Sequence, residues 1–116
     1  MIRLAATMRC PTVLPVGSNF LVEALEPRDT LTGGAVKLDS VAVDIRDAQG
    51  ESVAAYVGEE IEPGRYAVCV PYGAPLVAGE TYAVYLTITA TASDGTPLQT
   101  IWRPERVADY AETIRA

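Results

Sequence analysis

The sequence predicts an all-β fold, namely an antiparallel β-sandwich of about seven strands in one domain. Three observations support this prediction. Short runs alternate between apolar and polar residues, as half-buried strands do. Gly, Pro, Asp and Ser separate these runs at regular intervals. The 116 residues suit a single domain, and no βαβ pattern or internal repeat interrupts the series.

The strand assignments follow from the positions of these runs. Residues 80–92 form the longest run, with apolar residues at even positions from Tyr82 to Ala90 and mainly threonine at odd positions. Residues 40–46 alternate equally clearly, and residues 47–50 and 93–96 have the composition of tight turns. The predicted core includes residues that lie on the apolar faces of these strands, namely Tyr66, Val68, Val84, Leu86 and Ile88. Further strands are predicted over residues 20–25, 52–57, 65–70 and 98–103, with a possible seventh in the N-terminal segment or near residues 35–38.

The chain divides into an N-terminal arm (residues 1–19), a sandwich domain (20–103) and a C-terminal tail (104–116). Prolines in the arm disfavour both helix and central strand. In the tail, Pro104 precedes an apolar stripe at helical spacing, which predicts a short C-terminal helix or an extended tail. Residues 58–64 are predicted to be an acidic loop.

Charge and composition limit the functions that are open to the chain. The net charge is −6, and the nine basic residues are scattered, so we expect neither direct nucleic-acid binding nor an anionic membrane partner. The chain contains no histidine, which removes the commonest general base and the commonest metal ligand. No nucleophile elbow, phosphate-binding loop or zinc motif is present. We therefore expect a protein that is not an enzyme and that needs no cofactor.

Two sets of residues allow an alternative reading as metal sites. Cys10 and Cys69 could form a disulfide or ligate a metal, but two thiols without histidine are too few for a structural zinc site. Carboxylates cluster at residues 59–62 and around the turn at residues 44–51, yet neither has the spacing of a calcium loop. We interpret the cysteines as incidental or buried thiols and the acidic clusters as solvated.

Three segments resemble a widespread class of immunoglobulin-like β-sandwich modules. They read DSVAVDIRDAQGESV (39–53), EPGRYAVCVP (62–71) and AGETYAVYLTITATASDGTPLQTIW (78–102). Tailed-bacteriophage virion proteins use such modules as capsid decoration or cement proteins, head–tail connectors and tail components. The resemblance covers about residues 20–103, and the chain departs from antibody domains because Trp102 follows both cysteines.

The resemblance implies a structural subunit of a phage virion, made in the host cytoplasm, that binds other virion proteins and itself through its termini and sheet edges. Arg9 interrupts the apolar stretch at the N-terminus, so the segment is a poor signal peptide. The alternative is a carbohydrate- or cell-surface-binding module, and a third possibility is an accessory or periplasmic protein. The expected subunit contacts are Leu4, Met8, Val13, Leu14, Val16, Tyr85, Val107, Tyr110 and Ile114.

Overall fold

A computed structural model describes residues 2–110 of the chain, which form ten β-strands and no helix. No helix in this part of the chain could therefore cross a membrane. The strands are β1 (Leu4–Arg9), β2 (Val13–Val16), β3 (Phe20–Asp29), β4 (Leu38–Arg46), β5 (Ser52–Val57), β6 (Glu59–Glu62), β7 (Arg65–Val70), β8 (Thr81–Thr91), β9 (Pro97–Trp102) and β10 (Glu105–Tyr110).

The strands make two sheets that enclose one core, so the predicted all-β sandwich is confirmed. The first sheet has the order β1-β3-β7-β6, and the second has the order β2-β10-β8-β4-β5. Strand β9 pairs with β8 on the same side as β10. Neighbouring strands are antiparallel except for β2 and β10, which are parallel.

The core contains the side chains that the alternating pattern places on the inner faces. Along β8 every even position from Tyr82 to Ala90 is buried, while the odd positions are exposed or half-buried. The predicted core is confirmed, since all five of its members are buried: Tyr66, Val68, Val84, Leu86 and Ile88.

The N-terminal segment belongs to the sandwich, contrary to the expectation of a separate arm. Strand β1 pairs with β3 in the first sheet, and β2 pairs with β10 in the second. Leu4 and Leu14 are 1% and 0% exposed, because each covers an inner face of the sandwich. The chain crosses between the sheets at Pro11, which lies outside both strands.

The predicted C-terminal helix is wrong for the described part of the tail. Residues 105–110 form strand β10, which pairs with the first residues of β8 and with β2. These two strands offer backbone partners that a helix would leave unpaired. The rest of the predicted helix, residues 111–116, lies outside the described residues.

The predicted acidic loop after β5 also contains a strand, β6, which pairs with β7. The chain passes from the second sheet to the first at Gly58, whose N–H donates to the Val41 carbonyl at 2.8 Å. A Cβ atom on Gly58 would overlap the backbone carbonyl of Ala67. Only glycine therefore fits this crossing without movement of the neighbouring strand.

A partly buried ion pair fixes the start of β1. The Arg3 guanidinium donates from Nε to Oδ1 of Asp29 and from a terminal nitrogen to Oδ2, both at 3.0 Å. The Leu31 N–H also donates to Asp29 Oδ1, and Arg3 lies 3.6 Å from Asp94 in the β8–β9 turn. The pair thus connects β1 to the end of β3 and to the second sheet.

Candidate binding face on the second sheet

The outer face of the second sheet carries an apolar row that runs across four strands. Strand pairing places Val57 beside Ala42, Ala42 beside Thr87, and Thr87 beside Ile101. Residues opposite one another in antiparallel strands point to the same face. Since their chain neighbours Val43, Leu86 and Ile88 are buried, the four members of this row point outward. We call them the apolar row.

The ends of the apolar row are exposed and its middle is small. Val57 is 84% exposed and Ile101 is 51% exposed, whereas Ala42 and Thr87 between them are half-buried. A shallow hollow of about 300 Å³ lies beside the β5 end of the row. Its lining comes from Ala42, Val43, Asp44, Ala55, Tyr56, Val57 and Thr87.

The adjacent row is polar and centres on Tyr85. The Arg46 guanidinium lies 4.5 Å from the centroid of the Tyr85 ring, and the Arg103 guanidinium lies 5.8 Å from it. Cations attract the π-face of an aromatic ring at such distances. Tyr85 therefore lies between two positive charges on an otherwise acidic chain.

Only one of the two arginines is held by a carboxylate. Arg46 Nε donates to Asp44 Oδ2 at 2.7 Å, and the Ser52 hydroxyl donates to the other Asp44 oxygen. Partial burial acts to raise the pKa of Asp44, but these hydrogen bonds outweigh it and leave the pKa below its ordinary value. Arg103 forms no ion pair with residues 2–110, so its guanidinium can donate hydrogen bonds to an external carboxylate.

The opposite side of the apolar row is bordered by short polar side chains. The hydroxyls of Ser40 and Thr89 form a hydrogen bond across β4 and β8, and the Thr91 hydroxyl donates to Asp39 at 2.7 Å. The outer face thus has an apolar centre between two polar borders.

A larger hollow, of about 570 Å³, lies between the bend of β3 and the β6–β7 turn. The polar side chains that line it already bind other groups of the same chain. Lys37 lies 3.5 Å from Glu60, whose carboxylate accepts the Gly64 N–H at 3.2 Å, and the Tyr66 hydroxyl accepts the Leu38 N–H at 3.1 Å. This hollow therefore presents few unused polar groups to a ligand.

Glu26, on the wall of the same hollow, has a φ of 50°. The pairing of β1 with β3 is irregular at this point, and the Glu26 N–H donates to the Gly64 carbonyl at 2.7 Å. The left-handed conformation thus turns the Glu26 N–H toward the β6–β7 turn. It is unfavourable for a residue with a Cβ atom.

The expected subunit contacts are spread over different parts of the molecule. Tyr85 lies on the outer face of the second sheet, and Val13 and Val107 are exposed neighbours at the β2 edge of that sheet. Tyr110 is exposed, Ile114 lies outside the described residues, and four others face the core. These four are Leu4 and Leu14, which are buried, and Met8 and Val16, which are half-buried against the core.

Sequence reasoning did not identify the apolar row. Val57 and Ile101 each occupy the outward phase of a strand, and the signal for them was available, because Ile101 lies out of phase with Leu98, Thr100 and Trp102. Their alignment depends on the register of four strands, which no single run of sequence contains. Elsewhere on the surface, Tyr72 is exposed, whereas Tyr56 packs against the core.

The cysteines are unpaired. Burial raises the pKa of the Cys10 thiol to about 11, although the neighbouring Arg106 acts to lower it, while Cys69 is exposed on β7. Within residues 2–110 no three side chains of the Cys, Asp or Glu type come together as metal ligands.

The fold defines a class, the two-sheet β-sandwich. Within that class the chain is similar to the crystal structure of CopC from Methylosinus trichosporium OB3b. The TM-score is 0.51 at 18% sequence identity, over 96% of this chain and 100% of the CopC chain. At this identity the likeness concerns the fold. The chain matches no known protein family and no curated protein.

The expected role as a tailed-phage virion subunit is corrected by this comparison. The solved structure whose fold the chain resembles is CopC, which is not a phage protein. The motifs behind the phage resemblance, such as Gly64-Arg65-Tyr66 and the Asp94-Gly95 turn, encode the turns of a β-sandwich. They recur wherever that architecture does, so they could not identify a virion.

Proposed function

We propose that the protein is a non-catalytic, immunoglobulin-like module that binds a protein partner through the outer face of its second sheet. The observation that carries this proposal is the apolar row, whose ends Val57 and Ile101 remain open to solvent beside the Arg46–Tyr85–Arg103 stack. Contiguous apolar surface with a polar border is typical of interaction sites.

The order of the strands supports the immunoglobulin-like description. In an immunoglobulin sandwich, strands A, B, E and D form one sheet and strands C, F and G form the other. Here β1, β3, β7 and β6 occupy the first set of positions. In the second sheet, β4, β8 and β10 take the positions of C, F and G, with β5 added at the edge.

The chemistry of the face indicates the kind of partner. Tyrosine and arginine are enriched among the residues that dominate binding energy at interfaces. Arg103 offers a guanidinium without a carboxylate partner among the described residues, and the apolar row lies next to it. A complementary surface would present an acidic side chain opposite Arg103 and apolar side chains opposite Val57 and Ile101.

The size of the face favours reversible binding. Four strands at the usual spacing of about 4.8 Å place the ends of the row about 14 Å apart. A contact of that width buries less than the ~800 Å² per partner of a standard stable complex. We therefore expect an interaction at the weak, transient end of the range.

Site-specific photo-crosslinking in the cells that produce the chain tests the proposal. A photoreactive residue at Ile101 should give a discrete adduct with a protein, and Val57→Asp in the same chain should abolish it. Leu21, which is exposed on the outer face of the first sheet, is the matched control position. Equal adducts at Ile101 and Leu21, or an adduct that survives Val57→Asp, would overturn the proposal.

A further inference from the structure

The free edges of the two sheets differ in how they are protected. Strand β6 has three glutamates among its four residues, β2 is four residues long and contains Pro15, and the pairing of β1 with β3 is irregular. Strand β9 begins with a proline and lies against β1, whose Leu4 carbonyl accepts the Thr100 hydroxyl. Natural proteins protect edge strands against pairing with other chains by such means.

Strand β5 has the fewest of these protections, because only an irregularity in its pairing with β4, near its first residues, is present. It is the edge of the second sheet, and its six residues, Ser-Val-Ala-Ala-Tyr-Val, contain no charge and no proline. Its core-side residues Val53 and Tyr56 are only half-buried, and Val57 on the outer side is the most exposed of the large apolar residues in the described chain. An added strand would cover apolar surface on both faces of the sheet.

We propose that the strand added to this edge is β5 of a second copy of the chain, paired antiparallel about a two-fold axis at Ala55. Such pairing places Ala54 opposite Tyr56 of the second copy, and the two residues share the core side of the sheet. Alanine at the axis avoids crowding between the two side chains that face each other there.

The lack of charge on β5 makes this edge compatible with a second copy of the chain. Two chains of net charge −6 repel each other, so association requires a contact where carboxylates do not oppose each other. β5 is uncharged, and after it the chain leaves the second sheet at Gly58, which carries Glu59 into the other sheet. By contrast, pairing β6 with β6 of a second copy would bring six glutamates together.

This inference concerns self-association and does not depend on the partner proposed for the outer face. The joined second sheets would, however, place two outer faces side by side. A partner that carries two copies of the complementary surface would then be bound by both faces of one dimer, which raises the effective affinity.

Sedimentation velocity over a concentration series tests the dimer. The wild-type chain should change from monomer to dimer as its concentration rises, and Ala55→Lys should remain monomeric because two lysines would meet at the axis. Ala55→Glu should also be monomeric, and an equimolar mixture of the two variants should restore the dimer as a heterodimer. Gln99→Lys, an exposed position on β9, is the matched control and should dimerise as the wild type does.

A second measurement remains informative if the charged variants fold poorly. In a Cys10→Ser, Cys69→Ser background, Ala55→Cys should form an intermolecular disulfide under mild oxidation, because opposed Cα atoms in antiparallel strands lie at about 4.5–5.5 Å. A wild-type chain that stays monomeric at every concentration would overturn the proposal. So would an Ala55→Lys variant that dimerises normally, or an Ala55→Cys variant that does not crosslink.

Discussion

At the scale of single residues, Gly58 and Glu26 show two different demands on the backbone. Gly58 is needed for space, because the carbonyl of Ala67 occupies the position that a Cβ atom would take. Glu26 has an unfavourable conformation without any such restriction, since its φ of 50° would suit glycine better. Position 58 therefore excludes side chains, whereas position 26 tolerates a side chain at a cost in conformational free energy.

For Gly58→Ala we expect a loss of about 1–3 kcal/mol in the free energy of unfolding, the range found for an overpacked site. The added methyl group meets backbone atoms of β7, which cannot rotate away as a side chain could. Gly73→Ala is the control, because open space surrounds Gly73 and its φ is not positive. Chemical denaturation measures both variants, and equal effects would contradict the crossing geometry.

For Glu26→Gly we expect an unfolding free energy that is unchanged or higher by up to about 1 kcal/mol, because relief of strain offsets the added freedom of the unfolded chain. Glu59→Gly makes the same replacement on an exposed strand residue whose φ is not positive, and it should be destabilising by roughly 0.5–1 kcal/mol. Chemical denaturation of the Glu26→Gly and Glu59→Gly variants measures both unfolding free energies. A larger loss for Glu26→Gly would mean that its side chain stabilises the fold.

At the scale of elements, alternation predicted the strands that can be recognised within one run of sequence. β4, β5, β7, β8 and β9 follow the predicted positions closely. The possible strand in the N-terminal segment was not located, so β1 and β2 were not assigned, and β2 contains a proline. β6 and β10 were not predicted, because β6 carries charge at three of its four positions and β10 follows Pro104. β1, β2 and β10 form by pairing with strands that are distant in sequence. The outer face was only partly predictable for the same reason, since Tyr85 has a local signal and the apolar row depends on register.

The ion pair at the start of β1 predicts a pH dependence. Hydrogen bonds from Arg3 hold the pKa of Asp29 below its ordinary value of 3.8, although burial acts to raise it. A lowered carboxyl pKa in the folded state stabilises the fold above the ordinary pKa. This contribution is lost as the pH falls through the lowered value.

Arg3→Gln should therefore be destabilising at neutral pH, and the difference from wild type should shrink below about pH 4 as Asp29 becomes protonated. The measurement is denaturation at a series of pH values. Arg103→Gln is the control, because Arg103 has no ion pair with residues 2–110 and its effect should vary less with pH. A constant Arg3→Gln deficit across the series would contradict the role of the pair.

At the scale of the whole molecule, the sandwich encloses its core with apolar side chains alone, apart from the buried carboxyl of Asp29. The described residues bring no three potential metal ligands together. We expect thermal unfolding curves with and without EDTA to coincide, because no bound metal would then be lost. A fall of several degrees with the chelator would show that metal stabilises the fold.

The parallel pairing of β2 with β10 has a consequence for synthesis on the ribosome. Arg106 Nε donates to the Pro11 carbonyl across 95 positions of sequence, so the partner of the N-terminal segment is translated long after it. Until β10 emerges, the nascent chain cannot complete the edge that shelters Leu14. Closing so long a loop is a slow step. The nascent chain therefore exposes an apolar strand until β10 has been made, and this interval is open to misfolding and to chaperone binding.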